Sequence, residues 1–205
     1  MKDVSRRTVA RGAAWAVPSV AIAGSAPALA ASPTTPSCPT CLVPGNAGGF
    51  TAQAVVANNR GALIGNLTAN IDARGCDLTL FKPAYTIIGL GASLTMSDGR
   101  TYSSPLGVTA GAGTLGRVSA LNSTFTFGGV RFPDGTYSLL GAPVTPKQLC
   151  VSFRAIFIGL PRLIKISCEY SLCYNVELGV STGIVGVLTH AGTINYTGTL
   201  DAARG

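Results

Sequence analysis

Three stretches of this 205-residue chain alternate apolar and polar residues with a period of two, and that pattern restricts the fold class most strongly. In 61–71, Leu63, Leu67 and Ile71 share one parity, while Asn66, Thr68 and Asn70 share the other. In 86–96, Ile88, Leu90, Ala92, Leu94 and Met96 fall on one side, as do Leu149, Val151, Phe153, Ala155 and Phe157 in 148–158. A strand points successive side chains to opposite faces, so each pattern predicts a strand with one face in a core. Helical periodicity is hard to find, and Gly, Thr, Val and Pro161 argue against a helix around 155–167.

Turn signals punctuate these runs. Asp98-Gly99 stands between the strand ending near Met96 and Thr101-Tyr102-Ser103, and Asp134-Gly135 between Phe132 and Thr136-Tyr137-Ser138. Asp-Gly supplies the positive φ that tight hairpins need, so both read as hairpin tips. Their similarity reads as common hairpin chemistry rather than a repeat, because the flanking residues differ. Further strands are expected over 174–180, 183–189 and 192–200. About ten short strands predict an all-β fold, an antiparallel β-sandwich. An immunoglobulin-like form would need additional strands or long loops, since that domain takes only about 100 residues.

The N-terminus has a different character. Ser5-Arg6-Arg7 precedes an uncharged, Ala-rich run that closes on Ala28-Leu29-Ala30. A basic start, a weakly apolar middle and a small-x-small end form an export signal, with cleavage expected between Ala30 and Ala31. Ser5-Arg6-Arg7-Thr8-Val9-Ala10-Arg11 resembles the twin-arginine signal peptides of actinobacterial secreted proteins, although Val9 and Ala10 depart from the bulkier pair of that pattern. The resemblance covers the first thirty residues alone. It implies the export machinery and a signal peptidase as partners.

A membrane anchor is the competing reading of the same run. Pro18, Pro27 and the Ala/Gly/Ser content disfavour it, because these residues gain little from hydrocarbon or break the helix. The expected organisation is a signal over 1–30, an extended Pro/Thr/Ser/Gly-rich leader over 31–49 and one sandwich domain over 50–205. About 175 residues after the signal suffice for one substantial core. No stable transmembrane anchor is expected, and the product is read as secreted, or loosely retained at the cell envelope.

Losing Lys2, Arg6, Arg7, Arg11 and Asp3 lowers the net charge from +7 to +4. The basic residues that remain, Arg60, Arg74, Arg100, Arg117, Arg131 and Arg154 among them, stand apart in sequence and form no stripe. Nucleic-acid binding is therefore disfavoured, while weak attraction to anionic wall polymer stays open. The only tryptophan, Trp15, lies in the signal, which weakens a flat aromatic sugar-binding platform. Six tyrosines, at 85, 102, 137, 170, 174 and 196, could still serve one, although strand faces and edges are their ordinary place.

Cys38, Cys41, Cys76, Cys150, Cys168 and Cys173 all follow the signal, and an even count in an exported chain predicts three disulfides. Six cysteines allow fifteen pairings. Local proximity suggests Cys38 with Cys41 and Cys168 with Cys173 at a hairpin tip, leaving Cys76 for Cys150. Strand parity makes that last pair awkward, since Cys150 opposes inward Leu149 and Val151 whereas Cys76 shares parity with Leu78 and Leu80.

Catalytic signals are sparse. Cys38-Pro39-Thr40-Cys41 fits the redox C-x-x-C spacing, but Leu42-Val43-Pro44-Gly45 cannot begin the helix that normally lowers the first thiol's pKa. His190, the sole histidine, reads as an exposed turn residue, and no G-x-S-x-G elbow occurs. No catalytic, cofactor or metal residue is assigned, and no cofactor is expected. The leading expectation is a non-enzymatic sandwich with a structural or surface-interaction role at the envelope. A module for cell-wall polymer or carbohydrate is the alternative, with another surface protein as a further partner. A secreted enzyme or a thiol-disulfide protein using Cys38 and Cys41 comes third.

Overall fold

The computed structural model describes residues 37–45, 48–105, 107–137 and 144–203, the side chains of 107–110 excepted. Arg6, Arg7, Ala28, Ala30 and the rest of the expected signal lie outside the described residues, as do Ala31 and the rest of 31–36 in the expected leader. The described chain is all-β, and its strands run in chain order. They are β1 (Val43–Pro44), β2 (Gly48–Ala57), β3 (Arg60–Asp72), β4 (Ala84–Met96), β5 (Thr101–Ser104) and β6 (Gly107–Thr114). The remainder are β7 (Val118–Arg131), β8 (Gly135–Tyr137), β9 (Pro146–Gly159), β10 (Ile164–Val185) and β11 (Gly192–Ala202).

All pairings are antiparallel and belong to one sheet, in the order β1-β3-β2-β11-β10-β9-β4-β6-β7. The strand β7 also pairs along β3, so the order returns towards its start. The long β10 makes this a sandwich. Its first half, Ile164 to Asn175, pairs with β9, and its second half, Tyr174 to Val185, pairs with β11. One strand thus serves both layers, β7-β3-β2-β11 and β4-β9. An immunoglobulin-like arrangement keeps its two sheets separate, so it gains no support from this single hydrogen-bonded sheet.

The alternation read in 61–71 and 148–158 is the alternation of burial. Leu63, Leu67 and Ile71, with Leu149, Val151, Phe153, Ala155 and Phe157, are all at most 2% exposed. Between the layers, Phe157 meets Phe81, Tyr85 and Tyr170 at ring-centroid distances of 5.6, 5.2 and 6.3 Å. Aromatic pairs at such separations add about 0.5–1.5 kcal/mol beyond their burial. Gly113 lies against this cluster, where an added Cβ would collide with the Tyr85 ring.

Four sequence expectations are corrected here. In β4 only Ala92, Leu94 and Met96 face the core, whereas Ile88 and Leu90 are exposed and Tyr85 and Ile87 are buried. The cause is a bulge between Gly89 and Gly91, which inserts one residue and inverts parity. Gly91 adopts φ 151° there, and a Cβ would press on the Ser104 carbonyl. Asp134-Gly135 is not a hairpin tip, because β8 pairs with β10 rather than returning along β7. The expected strands 174–180 and 183–189 are parts of continuous β10, which bulges between Leu178 and Val180 and ends at Val185. Leu78 and Leu80 are exposed on an irregular segment, although Cys76 is buried.

The disulfides join Cys38 to Cys168, Cys41 to Cys76 and Cys150 to Cys173. All six cysteines are used, but none of the expected pairs, Cys38–Cys41, Cys168–Cys173 and Cys76–Cys150, forms. Cys168 and Cys173 sit five apart on one strand, so they face opposite sides and cannot meet. Cys173 lies directly across from Cys150 in the β9–β10 ladder, on the side away from Leu149 and Val151. Cys38 and Cys41 go to different partners, which removes the C-x-x-C dithiol. Their two bonds, with β1 on β3, fix the 37–45 segment to the sheet.

Candidate functional site

Four loops meet at the end of the sandwich where β3 begins. Asn58 and Asn59 form the two-residue β2–β3 turn with φ of 51° and 57°. A tight hairpin needs positive φ at both places, and asparagine tolerates it better than most residues. In the β4–β5 turn, Gly99 has φ 81°, and Asp98 accepts from the Arg100 backbone N–H at 3.1 Å and its guanidinium at 3.0 Å. The third loop follows Arg131, and the fourth is 186–191 between β10 and β11.

Backbone hydrogen bonds tie three of these loops together and anchor the β4–β5 turn to the residue before β9. The Asn59 N–H donates to the His190 carbonyl at 3.0 Å, and the Phe132 N–H donates to the Asn59 carbonyl at 2.8 Å. The Ser97 N–H donates to the Thr145 carbonyl at 2.7 Å. Beneath them the buried Tyr196 hydroxyl donates to the Val144 carbonyl at 3.0 Å, and the Tyr137 hydroxyl to the Pro133 carbonyl at 2.9 Å. Burial, with a smaller push from Asp134, raises the Tyr137 phenol to about 12, and burial raises Tyr196 as well.

His190 occupies an exposed turn, as its sequence context suggested, with φ 49°. Its Nδ1 lies 3.3 Å from Asp134 Oδ2 and 3.3 Å from Asn59 Nδ2. A bare Nδ1 accepts from Asn59, while a protonated one donates to Asp134. One nitrogen cannot do both at once. The imidazole therefore links the β2–β3 turn, the post-β7 loop and its own loop.

Beside this knot opens a cleft of about 490 Å³. Its polar rim carries Asn58, Arg60, Asp98, Arg100 and Arg131, over Phe132 and Val144. Arg60 and Arg131 are directly opposite each other in the β3–β7 ladder, and both are exposed. Three arginines that stand apart in sequence thus converge, one held by Asp98.

A second feature covers the outer face of β7-β3-β2-β11. Thr124, Asn66, Thr51 and Thr197 form one cross-strand row, and Thr126, Ile64, Gln53 and Asn195 the next. All eight are exposed. Within the rows Thr124 donates to Asn66 Oδ1 at 2.7 Å and Gln53 to Asn195 Oδ1 at 3.1 Å. Only 11% of the chain is charged, so this exterior is hydroxyl and amide rather than ionic. Rows repeat about 4.8 Å across strands and about 7 Å along them.

The tyrosines present no exposed ring on either surface. Tyr85, Tyr137, Tyr174 and Tyr196 are nearly fully buried, and half-buried Tyr102 and Tyr170 have engaged hydroxyls. An exposed tyrosine platform for sugar rings is thereby excluded. Neither the arginine cleft nor the row-forming face was assigned from the sequence. The Asn58-Asn59 pair between alternating runs was the readable signal for the first. Comparison with known protein families, curated proteins and solved structures finds no match.

Proposed function

We propose that the protein is exported through a twin-arginine signal and acts, without catalysis, by surface interaction at the cell envelope. Three disulfides fit an oxidising compartment outside the cytoplasm. Among the described residues, no helix is long and apolar enough to cross a membrane. The observation that carries the interaction reading is the registered face of Thr51, Gln53, Asn66, Thr124, Asn195 and Thr197. Its hydroxyl and amide groups offer donors and acceptors in parallel rows on strands that cannot reorient.

The same face favours a wall polymer with many uncharged hydroxyls as the partner. Such a chain lying along the rows exchanges water contacts for hydrogen bonds at several points, without bringing a charge into the interface. Sedimentation with isolated cell wall tests this reading. The wild-type protein is expected to pellet with the wall, and Asn66→Lys combined with Thr197→Glu to remain in the supernatant. Enrichment no greater than that of an unrelated neutral β-sandwich refutes it. For export, Arg6→Lys with Arg7→Lys is expected to leave the chain in the cytoplasm, and unchanged secretion removes the twin-arginine route.

A further inference from the structure

We propose that the arginine cleft is a binding site for a phosphate group. Like charges directly opposite on neighbouring strands repel and destabilise a ladder, yet Arg60 and Arg131 occupy such a pair. Neither makes an ion pair among the described residues. The third guanidinium, Arg100, uses one N–H on Asp98 and keeps its other donors free to face the cleft. Asp134 is directed to His190 instead. The cleft therefore holds three cations against one carboxylate.

The geometry selects the ligand class. A carboxylate has two oxygens, and one guanidinium fork satisfies it. A phosphate carries enough oxygens for two or three forks and can bridge Arg60 to Arg131, converting their repulsion into shared attraction. Asn58 adds an uncharged polar group at the rim, and the floor of Phe132 and Val144 lowers the local dielectric, which strengthens each contact. The cleft volume of about 490 Å³ admits a phosphate together with the polyol or sugar that bears it. The Phe132–Asn59 backbone bond ties the turn before Arg60 to the loop after Arg131, and the Ser97–Thr145 bond anchors the Arg100 turn, so the backbone that carries the donors is fixed before the ligand arrives. Different residues carry this site and the polar face, so either reading can fail while the other stands.

Calorimetric titration of the full, disulfide-bonded chain tests the site at constant ionic strength. The probes are inorganic phosphate, a glycerol phosphodiester and anionic phospholipid vesicles. Saturable binding of one phosphate per chain is expected, and Arg60→Gln or Arg131→Gln should each weaken it about 10-fold or more. The Asn66→Lys, Thr197→Glu protein should bind phosphate as the wild type does. Tighter binding of the phosphodiester assigns a polymer as the source, whereas tighter binding of vesicles assigns a lipid headgroup. Both arginines are exposed, so the variants should fold. In chloride alone, Arg131→Gln should melt at or above the wild-type temperature because the repulsion is gone. Phosphate should then raise the melting point of the wild type and leave that of the Arg60→Gln, Arg131→Gln double variant unmoved. No saturation beyond matched chloride, or wild-type binding by the Arg60→Gln, Arg131→Gln protein, overturns the proposal.

Discussion

The two ends of β3 are held by different chemistry. Past its C-terminal end, Cys76 is bonded to Cys41, β1 pairs with Ile71 and Asp72, and Cys38 is bonded to Cys168 on β10. At its N-terminal end, the Asn58-Asn59 turn meets the loop after β7 and the β10–β11 loop through hydrogen bonds and the His190 contacts. The third disulfide, Cys150–Cys173, spans the β9–β10 ladder and reaches neither end of β3. One end is anchored covalently, and the other keeps its polar groups available in a cleft. A binding surface needs the second arrangement and draws its rigidity from the first.

Cutting the covalent end should therefore have the largest effect. The Cys38–Cys168 bond closes a separation of 130 residues, against 35 and 23 for the others. Chain-entropy reasoning assigns it about 5 kcal/mol, compared with about 3.5 kcal/mol for the shortest loop. The paired change Cys38→Ser, Cys168→Ser should lower the melting temperature by about 10–20 °C. Cys150→Ser with Cys173→Ser should lower it less, and the reverse ranking would show that unfolded-chain entropy does not govern these bonds. The cleft should retain its affinity in either protein, provided the measurement is made below the new melting point.

Alkaline titration compares the ends through their tyrosines. Tyr170 donates to the Pro39 carbonyl at the clamped end and Tyr137 to the Pro133 carbonyl at the loop end. Burial is the main cause that lifts both phenols to about 12. The fold favours the neutral phenol, so this contribution is complete below the unfolded value near 10 and disappears as pH rises through about 12. The urea midpoint should be level up to about pH 10 and then fall. Tyrosinate absorbance should show Tyr137→Phe removing part of the phase near pH 12. Tyr170 should ionise at lower pH once the Cys38–Cys168 bond is gone, and an unchanged Tyr170 titration would separate that phenol from the clamp.

The covalent end was half legible in sequence and the loop end hardly at all. Period-two parity located β3 and β9 because burial alternates unbroken from Leu63 to Ile71 and from Leu149 to Phe157, the register shift between Gly61 and Leu63 placing its extra residue on β7. It failed in β4, where the bulge at Gly89 and Gly91 inverts the pattern, and no local residue choice announces that shift beyond the glycines themselves. Six paired cysteines followed from count and context, but the partners did not. Treating 164–185 as one strand would have excluded Cys168 with Cys173 on parity alone. Arg60, Arg100 and Arg131 looked isolated because strand pairing, not sequence distance, makes Arg60 and Arg131 neighbours. Likewise, the rows of Thr, Asn and Gln exist only once the register of four strands is known.

A smaller effect is expected from Tyr196→Phe, which strips the Val144 carbonyl under the cleft of its donor. The loss should be about 1–2 kcal/mol by chemical denaturation, since a buried acceptor is left unmade. A loss below about 0.3 kcal/mol would mean that water or a shift of Val144 replaces the bond.

The smallest effect should come from the β2–β3 turn, and it separates backbone preference from side-chain contact. Asn59 holds φ 57°, which alanine adopts only at a cost of about 1 kcal/mol and glycine adopts freely. Asn59→Ala should lose that amount, with a few tenths more for the missing contact to His190. Asn59→Gly keeps the turn and loses only the contact. The backbone bonds from Asn59 to His190 and from Phe132 to Asn59 survive in both, so global stability should change little in the glycine protein. If the two variants are equally destabilised, the side chain rather than the turn holds the loop end together. If only alanine suffers, the cleft is shaped by backbone geometry, and phosphate affinity in the glycine protein should match the wild type.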